Sequence, residues 1–253
     1  MAKGLLKVGA TISFIFFLQM VVVPAFAIEW DQIPGAATDI GVGSDGSAWI
    51  IGTKKISGGY AIYRWTGDAW EQKPGGAVSV GVGSAEHVWV INKQQQIYRW
   101  SGNDWQQIPG TARDIGVGSD GSVWVVSTDK TLDGYDIYRW TGSAWAKTRG
   151  GGVGIGVGSA DNAWVINGKD EIYHWVGQNW YRMPGSAKDI GVGSDGSIWI
   201  VGANLDGNGM DYKVLSWTKN GWEEQSKLGT KISVGNTSEI WSIDANNRIW
   251  KLK

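Results

Sequence analysis

The chain has 253 residues, of which 24 are acidic and 23 are basic, so its formal net charge is −1. A near-neutral balance lacks the electrostatic footprint of a nucleic-acid-binding protein. The sequence contains no cysteine, which excludes a disulfide framework and thiol chemistry. Its two histidines, His87 and His174, are far apart in sequence and argue against a zinc site.

The first 27 residues have the pattern of a secretory signal. Two lysines precede an apolar run over residues 8–23, and small residues suited to a signal peptidase end at Ala27. The alternative is an uncleaved membrane anchor, but Trp30 already belongs to the first repeat element, so almost no linker would separate anchor and fold. We expect cleavage after Ala27 and a mature domain of residues 28–253 without stable membrane insertion. The protein would be secreted, and periplasmic if bacterial.

Eighteen tryptophans divide the rest of the chain into six copies of one unit. One set follows a glycine-rich run: Trp49, Trp89, Trp124, Trp164, Trp199 and Trp241. A second set ends a segment that reads IYRW at its clearest: Trp65, Trp100, Trp140, Trp175, Trp217 and Trp250. The third set precedes a Pro-Gly or similar turn: Trp30, Trp70, Trp105, Trp145, Trp180 and Trp222.

Each copy begins with a short β-branched strand and a turn, as in DIGVGSDGSAW over residues 39–49. Asp-Gly between alternating apolar residues is a strong hairpin signal. The chain continues through AWIIG, a loop, AIYRW, a second small turn and WEQKPG, which makes four strands per unit. Glycines alternate along the first strand, at Gly41 and Gly43, and permit close backbone approach. The sequence therefore predicts an all-β fold, a six-bladed β-propeller of four-stranded antiparallel blades.

The sixth unit supplies only three strands before the sequence reaches Lys253. Its fourth strand is predicted to be Ile28–Gly35, which reads like Trp105–Gly110. The first segment of the mature chain should therefore complete the last blade and leave no open sheet edge.

A second periodicity lies above the first, because residues 36–110 align with residues 111–185 without a gap. Odd units have the longer loop between their second and third strands, for example Lys54–Tyr60. We expect three pairs of blades that display three long loops on one face.

The linked motifs VGSDGSxW, IYRWTG and IPG recur through residues 28–253. In this combination they resemble the tectonin repeat, also called the tachylectin-1-like or fish-egg-lectin-like repeat, for which six repeats are usual. The resemblance implies a secreted or surface lectin, not an enzyme. Such a lectin binds lipopolysaccharide, modified sugars or other glycans at sites in or between blades, often in innate defence. The last two units depart from the pattern, because IYRW becomes VLSW (214–217) and RIW (248–250).

Sugar recognition needs an aromatic plate and a few fixed polar groups. Candidate plates are the third-set tryptophans beside a glycine-containing turn: Trp70, Trp105, Trp145 and Trp180. The alternative is that they are structural wedges between blades. The same choice, ligand contact or a structural stack on tryptophan, applies to the arginines of the IYRW segments: Arg64, Arg99 and Arg139.

The long loops offer another candidate group. The topology places their tyrosines near the aspartates that begin the first strands: Tyr60, Tyr135 and Tyr212 beside Asp39, Asp114 and Asp189. A tyrosine beside a carboxylate suits a sugar, and the three copies predict three sites, with six as the upper number. The alternative is that these tyrosines cover the edge of the next blade.

No cofactor or metal is expected. The acidic loop at 206–211 lacks the distal Glu and the flanking helices of an EF-hand, so a flexible turn explains it better.

A hydrolase needs one asymmetric pair of carboxylates, whereas near-identical copies suit multivalent binding. We expect a lectin whose partners are glycans or lipopolysaccharide and not nucleic acid. The alternative is a propeller scaffold for protein partners. In a eukaryotic source Asn236 would lie in a glycosylation sequon.

Overall fold

The computed structural model describes Met1, residues 29–207 and residues 209–253. The predicted signal segment, its cleavage point and Ile28 therefore lie outside the described residues. Within the described part of the chain every regular element is a β-strand. No helix among these residues has the length and apolar character needed to cross a membrane.

The strands follow in chain order: β1 (Trp30–Val42), β2 (Ala48–Ile56), β3 (Gly59–Trp65), β4 (Trp70–Ala77), β5 (Ser79–Ser84), β6 (His87–Ile91), β7 (Gln96–Trp100), β8 (Trp105–Val117), β9 (Val123–Thr131), β10 (Gly134–Trp140), β11 (Trp145–Gly152), β12 (Gly154–Ser159), β13 (Asn162–Ile166), β14 (Glu171–Val176), β15 (Asn179–Val192), β16 (Ile198–Leu205), β17 (Tyr212–Thr218), β18 (Gly221–Gly229), β19 (Lys231–Asn236), β20 (Glu239–Ile243) and β21 (Arg248–Leu252).

These strands form three seven-stranded antiparallel sheets, each of which divides into two four-stranded ladders. The first ladder contains β1–β4, the second β5–β8, the third β8–β11, the fourth β12–β15, the fifth β15–β18, and the sixth β19–β21 with β1. The long strands β1, β8 and β15 each serve two ladders, as the last strand of one and the first strand of the next.

The hairpin between β1 and β2 shows why the repeated Ser-Asp-Gly-Ser segment makes a turn. Gly46 has a φ of +81°, a conformation that glycine adopts without steric cost. The carboxylate of Asp45 accepts a hydrogen bond from the backbone N–H of Ser47 at 3.0 Å. The Asp-Gly turn predicted from the sequence is therefore confirmed at this hairpin.

The strand β1 also joins the two ends of the repeat region. Its first half pairs antiparallel with β21, and Gln32 lies opposite Trp250 while Ile33 lies opposite Ile249. Beyond the strands, the Lys253 ammonium lies 3.0 Å from the Glu29 carboxylate. The predicted pairing of the segment after residue 28 with the last strand is confirmed.

The core consists of six hydrophobic clusters, each between two consecutive ladders, and the series closes on itself between the sixth ladder and the first. In the first of them the buried ring of Trp49 meets Trp100 and Trp105 of the next ladder edge-on, with centroids 5.4 and 6.0 Å apart. Burial of one such ring contributes roughly 1.5–3 kcal/mol. The repeated tryptophans therefore hold adjacent ladders together.

The first strands of all six ladders line a narrow axial channel of about 60 Å³. Their alternating glycines allow this approach: a Cβ at Gly41 would lie 2.8 Å from the Val82 side chain. At Gly83 it would collide with the carbonyl oxygen of Gly118. The close backbone contact predicted from the glycine spacing is present.

Candidate ligand-binding clefts

The third-set tryptophans form one wall of the clefts between ladders. The indole N–H of Trp105 donates a 2.7 Å hydrogen bond to the carbonyl oxygen of Pro74 in the preceding ladder. Trp70, Trp145 and Trp222 bond to the corresponding prolines in the same way. The ring is half-buried and its N–H is used within the protein, so Trp105 can offer a ligand its face but no hydrogen bond.

Trp180 differs from this pattern, because Arg149 occupies the position that Pro74 has in the first ladder. The indole N–H of Trp180 is buried and has no hydrogen-bond partner among the described residues. Its ring still packs edge-on against Trp124 with centroids 5.8 Å apart. Both the structural and the ligand-facing interpretation of these tryptophans are therefore compatible with their positions.

The glycine after each proline lets the tryptophan lie close to the turn. Gly75 has a φ of +77°, and a Cβ there would approach the Trp105 ring to 3.3 Å. A larger residue at this position would be strained by its backbone conformation and would press on the aromatic wall. The Pro-Gly turn thus shapes the edge of the cleft.

The cleft between the first and second ladders, called here the first–second cleft, has a volume of about 500 Å³. Its walls contain Tyr98 and Trp105, and three amide side chains line it: Asn92, Gln94 and Gln96. An aromatic pair with several amides is the composition of a site for a polar ligand with an apolar face.

A hydrogen-bond network orients these groups. Gln96 Oε1 accepts from Asn92 Nδ2 at 2.8 Å and from the Tyr98 hydroxyl at 3.1 Å. Asn92 Oδ1 in turn accepts from the backbone N–H groups of Gln94 and Gln96 at 3.0 and 2.9 Å. The carbonyl of Gln96 is therefore used within the protein, and its NH₂ group faces the cleft without a partner among the described residues.

The next cleft, between the second and third ladders, is smaller, at about 210 Å³. Tyr138 and Trp145 provide its aromatic groups, and Thr111, Ser127 and Asp129 provide its polar groups. This second–third cleft repeats the aromatic pair of the first–second cleft but replaces the amides with hydroxyls and one carboxylate.

The three tyrosines predicted to bind a sugar are not among the lining residues of these two clefts. Tyr60, Tyr135 and Tyr212 are partly buried against three of the hydrophobic clusters between ladders. In addition, the Arg113 guanidinium lies over the Tyr135 ring at 4.3 Å from its centroid. These contacts agree with the alternative interpretation, in which the tyrosines cover the edge of the neighbouring ladder.

The predicted aspartates do come together, at one mouth of the axial channel. Each accepts a hydrogen bond from a backbone N–H of the following ladder: Asp39 from Val80 at 2.8 Å, Asp114 from Ile155 at 2.9 Å and Asp189 from Ile232 at 2.7 Å. They line a cavity of about 160 Å³, and the three tyrosines are not among its lining residues. Arg113, which lies over the Tyr135 ring, does line this cavity beside Asp114.

Lys231 lies among these carboxylates, 3.4 Å from Asp189 and 3.7 Å from Asp39. Burial raises the pKa of Asp39 to about 6, although Lys231 opposes the shift, and the other aspartates add to it. Burial also raises the pKa of Asp189, while the nearby carboxylates, led by Asp189, raise the pKa of Lys231. Lys231 therefore compensates part of the charge of the three carboxylates at this mouth.

The predicted arginines lie opposite first-set tryptophans across a strand pair: Arg64 opposite Trp49, Arg99 opposite Trp89 and Arg139 opposite Trp124. All three side chains are exposed. Arg139 lies over the Trp124 ring at 5.9 Å, and in the fourth ladder His174 stacks on Trp164 at 4.2 Å. Arg139 thus covers a core tryptophan, and none of the three arginines is among the lining residues of the two clefts.

The acidic loop forms a hydrogen-bonded turn, in which the carboxylate of Asp206 accepts from the backbone of Met210 at 3.2 Å and of Asp211 at 3.3 Å. Among the described residues no group of three or more metal-ligating side chains is assembled.

The carboxylate of Asp195, in a hairpin turn, also accepts hydrogen bonds within the protein. Burial raises the pKa of Asp195, but hydrogen bonds from Ser197 and Thr237 outweigh this effect and lower the pKa to about 2.

Sequence reasoning missed the amides and the tyrosines of the clefts. Tyr98 and Tyr138 belong to the IYRW segments, in which the sequence analysis selected the neighbouring arginine as the candidate ligand-binding residue. The alternation of side chains along a strand could have identified the tyrosines instead. Because the second-set tryptophan and the tyrosine lie two positions apart, both face the neighbouring ladder, whereas the arginine between them faces the other way.

The comparisons with known proteins agree with this architecture. The WD40 β-propeller domain of Doa1 aligns over 89% of this chain and 97% of its own, with 14% identity and a TM-score of 0.54. YCF48 bound to D1 peptide aligns over 91% and 96%, with 14% identity and a TM-score of 0.56. A gluconolactonase from Xanthomonas campestris aligns over 88% and 87%, with 12% identity and a TM-score of 0.57. At these identities the likeness shows a β-propeller fold and no more.

No match is found among curated protein sequences. The family model described as Tectonin domain matches three overlapping segments, residues 52–132, 76–151 and 131–253. Together they cover most of the chain, including both clefts and the tryptophans that line them. The chain belongs to the tectonin family, as the repeated motifs predicted.

Proposed function

We propose that each four-stranded ladder is one blade and that the protein is a six-bladed propeller. The pairing of β1 with β21 supports this proposal, because it gives the sixth ladder its fourth strand. The closed series of six hydrophobic clusters also supports it, since each cluster lies between two consecutive ladders. Closure protects the strand edges that an open array would expose.

We propose further that the protein is a lectin that binds glycans in the clefts between blades. One observation carries the proposal: the first–second cleft combines the aromatic side chains of Tyr98 and Trp105 with the amide of Gln94 and the NH₂ group of Gln96, which have no partner among the described residues. An aromatic ring packs against the apolar face of a sugar, and amides donate to and accept from its hydroxyl groups. Membership of the tectonin family supports the same function.

Each cleft should bind a single sugar weakly, because the gain from a shallow polar site is largely offset by ordering and desolvation. Several clefts on one rigid ring would raise the avidity for a dense ligand by about 10²–10⁴. The target would then be a polymeric surface, such as lipopolysaccharide or a glycoprotein coat. The predicted signal segment fits a secreted protein that meets such surfaces.

We propose binding without catalysis. A glycosidase places two carboxyl groups on either side of the bond that it cleaves. The first–second cleft has one carboxylate among its lining residues, Asp104, and the second–third cleft also has one, Asp129. Neither cleft therefore offers the acid and the second carboxylate that hydrolysis requires.

A glycan array and a lipopolysaccharide pull-down, each with and without EDTA, test the function. Gln94→Ala/Gln96→Ala should weaken binding at least tenfold, because it removes the free amides of the first–second cleft. Gln106→Ala/Gln107→Ala is the matched control, since these amides are exposed on β8. No signal on either assay, or equal loss in both variants, would contradict glycan binding in this cleft.

A second candidate function is a scaffold for protein partners. Two apolar side chains at the rim of the axial cavity are exposed, Val78 at 37% and Val153 at 43%. An apolar rim around a polar centre suits a peptide more than a sugar. Capture of a specific protein by the wild type but not by Val78→Ser/Val153→Ser, with no glycan bound, would favour this candidate.

A further inference from the structure

Three of the clefts share one design, because each lies after an odd ladder with a long hairpin. They are the first–second cleft and the corresponding junctions of the third ladder with the fourth and of the fifth with the sixth, called here the third–fourth cleft and the fifth–sixth cleft. Trp105, Trp180 and Trp30 pack on the hydrophobic clusters of these three junctions. The strand order is the same at all three junctions, but the side chains at homologous positions differ. Those side chains differ in charge and in whether they are already paired.

In the first–second cleft the two positions that differ between the clefts carry neutral amides, while the lining carboxylate, Asp104, accepts a hydrogen bond from the backbone N–H of Trp105 at 2.8 Å. Gln94 makes no side-chain hydrogen bond within the described part of the chain, and Gln96 uses only its carbonyl oxygen, for Asn92 and Tyr98. The NH₂ groups of both glutamines, and the carbonyl of Gln94, remain available to hydroxyl groups of a ligand.

In the third–fourth cleft the homologous positions carry charges that the protein itself pairs. Lys169, in place of Gln94, lies 2.8 Å from Asp133 at the tip of the preceding hairpin. Glu171, in place of Gln96, lies 3.0 Å from Arg182 and also accepts from the Tyr173 hydroxyl at 3.1 Å. A neutral sugar that contacted Lys169 or Glu171 would have to displace one of these ion pairs.

In the fifth–sixth cleft a lysine occupies the aromatic face. Lys227 stands where the first ladder has Gly75, and its ammonium lies 3.5 Å from the centroid of the Trp250 ring. Trp250 lies opposite Ser242 as Tyr98 lies opposite Val90, so its assignment to the second set was wrong and it takes the place of Tyr98. Its indole N–H donates to Asp244 at 3.0 Å. Burial lowers the pKa of Lys227 to about 8, with Asp244 opposing the shift. The position of the side chain inside the cleft, and not its pKa, is what blocks a sugar ring from stacking there.

We infer that these three clefts are not equivalent: the first–second cleft binds a neutral glycan, while the other two are occupied by the protein's own charged side chains. The inference rests on the proposed lectin function and narrows it to one ligand per chain at this type of cleft. Lys169, Glu171 and Lys227 are then the residues that determine specificity, by closing two copies of a repeated site.

The test uses protein labelled with 5-fluorotryptophan, because each cleft contains its own reporter ring. ¹⁹F spectra are recorded during titration with the neutral methyl glycosides of glucose, mannose, galactose and N-acetylglucosamine. Trp→Phe variants assign the resonances of Trp105, Trp180 and Trp30. We expect the Trp105 resonance to shift, and the other two to shift by less than a tenth as much at the same concentration.

The variant Lys169→Gln/Glu171→Gln gives the third–fourth cleft the amides of the first–second cleft. The Trp180 resonance should then respond, with a Kd within about threefold of that at Trp105. Lys213→Gln/Glu224→Gln is the matched control, because it removes another surface ion pair, 2.8 Å long, from the fifth ladder. Lys227→Gly should likewise increase the response of Trp30.

The outcomes separate the two proposals. Equal responses of Trp105 and Trp180 in the wild type would overturn the inference and leave the lectin function intact. A response at Trp105, with Trp180 silent in Lys169→Gln/Glu171→Gln, would overturn the role of these residues. Silence of all three resonances with every glycoside would overturn glycan binding in these clefts, and the inference with it.

Discussion

The ammonium of Lys231 lies 3.4 Å from the carboxylate of Asp189, and this contact joins the sixth ladder to the fifth at the axis. The same ammonium is 3.7 Å from Asp39 of the first ladder. One lysine therefore compensates carboxylates on both sides of it. In the second and fourth ladders the homologous residues are Ser79 and Gly154, which carry no charge.

Lys231→Met should destabilise the protein, because it leaves the buried carboxylates without a counter-charge. Breaking a buried pair costs about 3–5 kcal/mol, but the lysine side chain is 38% exposed, so we expect about 1–3 kcal/mol after solvent screening. The loss should be smaller at pH 5 than at pH 8, since protonation removes the uncompensated charge. Urea unfolding at both values measures it.

The control for this experiment is Lys253→Met, which breaks a pair with Glu29 whose two side chains are more than half exposed. Exposed pairs contribute about 0–1 kcal/mol. Equal losses in Lys231→Met and Lys253→Met would mean that the axial lysine does not compensate the buried carboxylates.

Asp39→Asn should flatten the pH dependence of stability between about pH 4 and pH 7. The folded-state pKa of Asp39, about 6, lies above the ordinary aspartate pKa of 3.8. Its protonated form therefore adds stability at low pH, and this contribution is lost as the pH rises through 6. The effect is at most about 3 kcal/mol. Asparagine keeps an oxygen for the Val80 N–H, so a difference in unfolding free energy that does not change with pH would refute the prediction.

Trp105→Phe should cost more stability than Trp180→Phe, although the two rings occupy homologous positions. Both substitutions lose part of an edge-on contact, but only the first removes an indole hydrogen bond, the 2.7 Å bond to Pro74. We expect a difference of about 1 kcal/mol in the free energy of unfolding, measured by guanidinium denaturation. Trp180, whose buried N–H has no partner in the part of the chain that the structure describes, serves as the internal control.

Gly110→Ala should destabilise the protein more than Gly102→Ala. Both glycines have a positive φ, +112° and +103°, so both substitutions carry backbone strain of about 1–2 kcal/mol. Only at Gly110 would the new Cβ lie 3.0 Å from the Trp145 indole, whereas nothing lies within 4 Å at Gly102. Thermal unfolding of both variants separates the contact with tryptophan from the strain, and equal melting temperatures would exclude the contact.

The fold could be predicted from the sequence because its signals are local and repeated. The Asp-Gly turn at Asp45, the alternation that places Trp49 in the core and the pairing of β1 with β21 all follow from patterns of a few residues. Repetition then multiplies each weak signal, since the same turn or strand recurs at the expected spacing.

The cleft chemistry could not be predicted in the same way, because it depends on which side chains face each other across two ladders. Tyr60 is of a residue type that often binds sugars, but here it packs on a hydrophobic cluster. Gln94 and Gln96 look like ordinary turn residues in the sequence, and only the structure shows that Asn92 and Tyr98 orient the Gln96 side chain. Sequence reasoning identified the three axial aspartates but not the lysine between them. Lys231 occupies, in the sixth unit, the repeat position that the aspartates occupy in the odd units, and the prediction considered only the aspartates.

The long strand β8 carries Trp105 at its first residue and Asp114 near its last, so one segment spans from an outer cleft to the axis. One inserted residue between them would turn every later side chain to the opposite face of the sheet. Insertions and deletions should therefore be tolerated in the hairpin tips, such as the fully exposed Leu132, and rejected within β1, β8 and β15. A library of single-residue insertions would reveal this as three stretches of intolerance, one in each sheet.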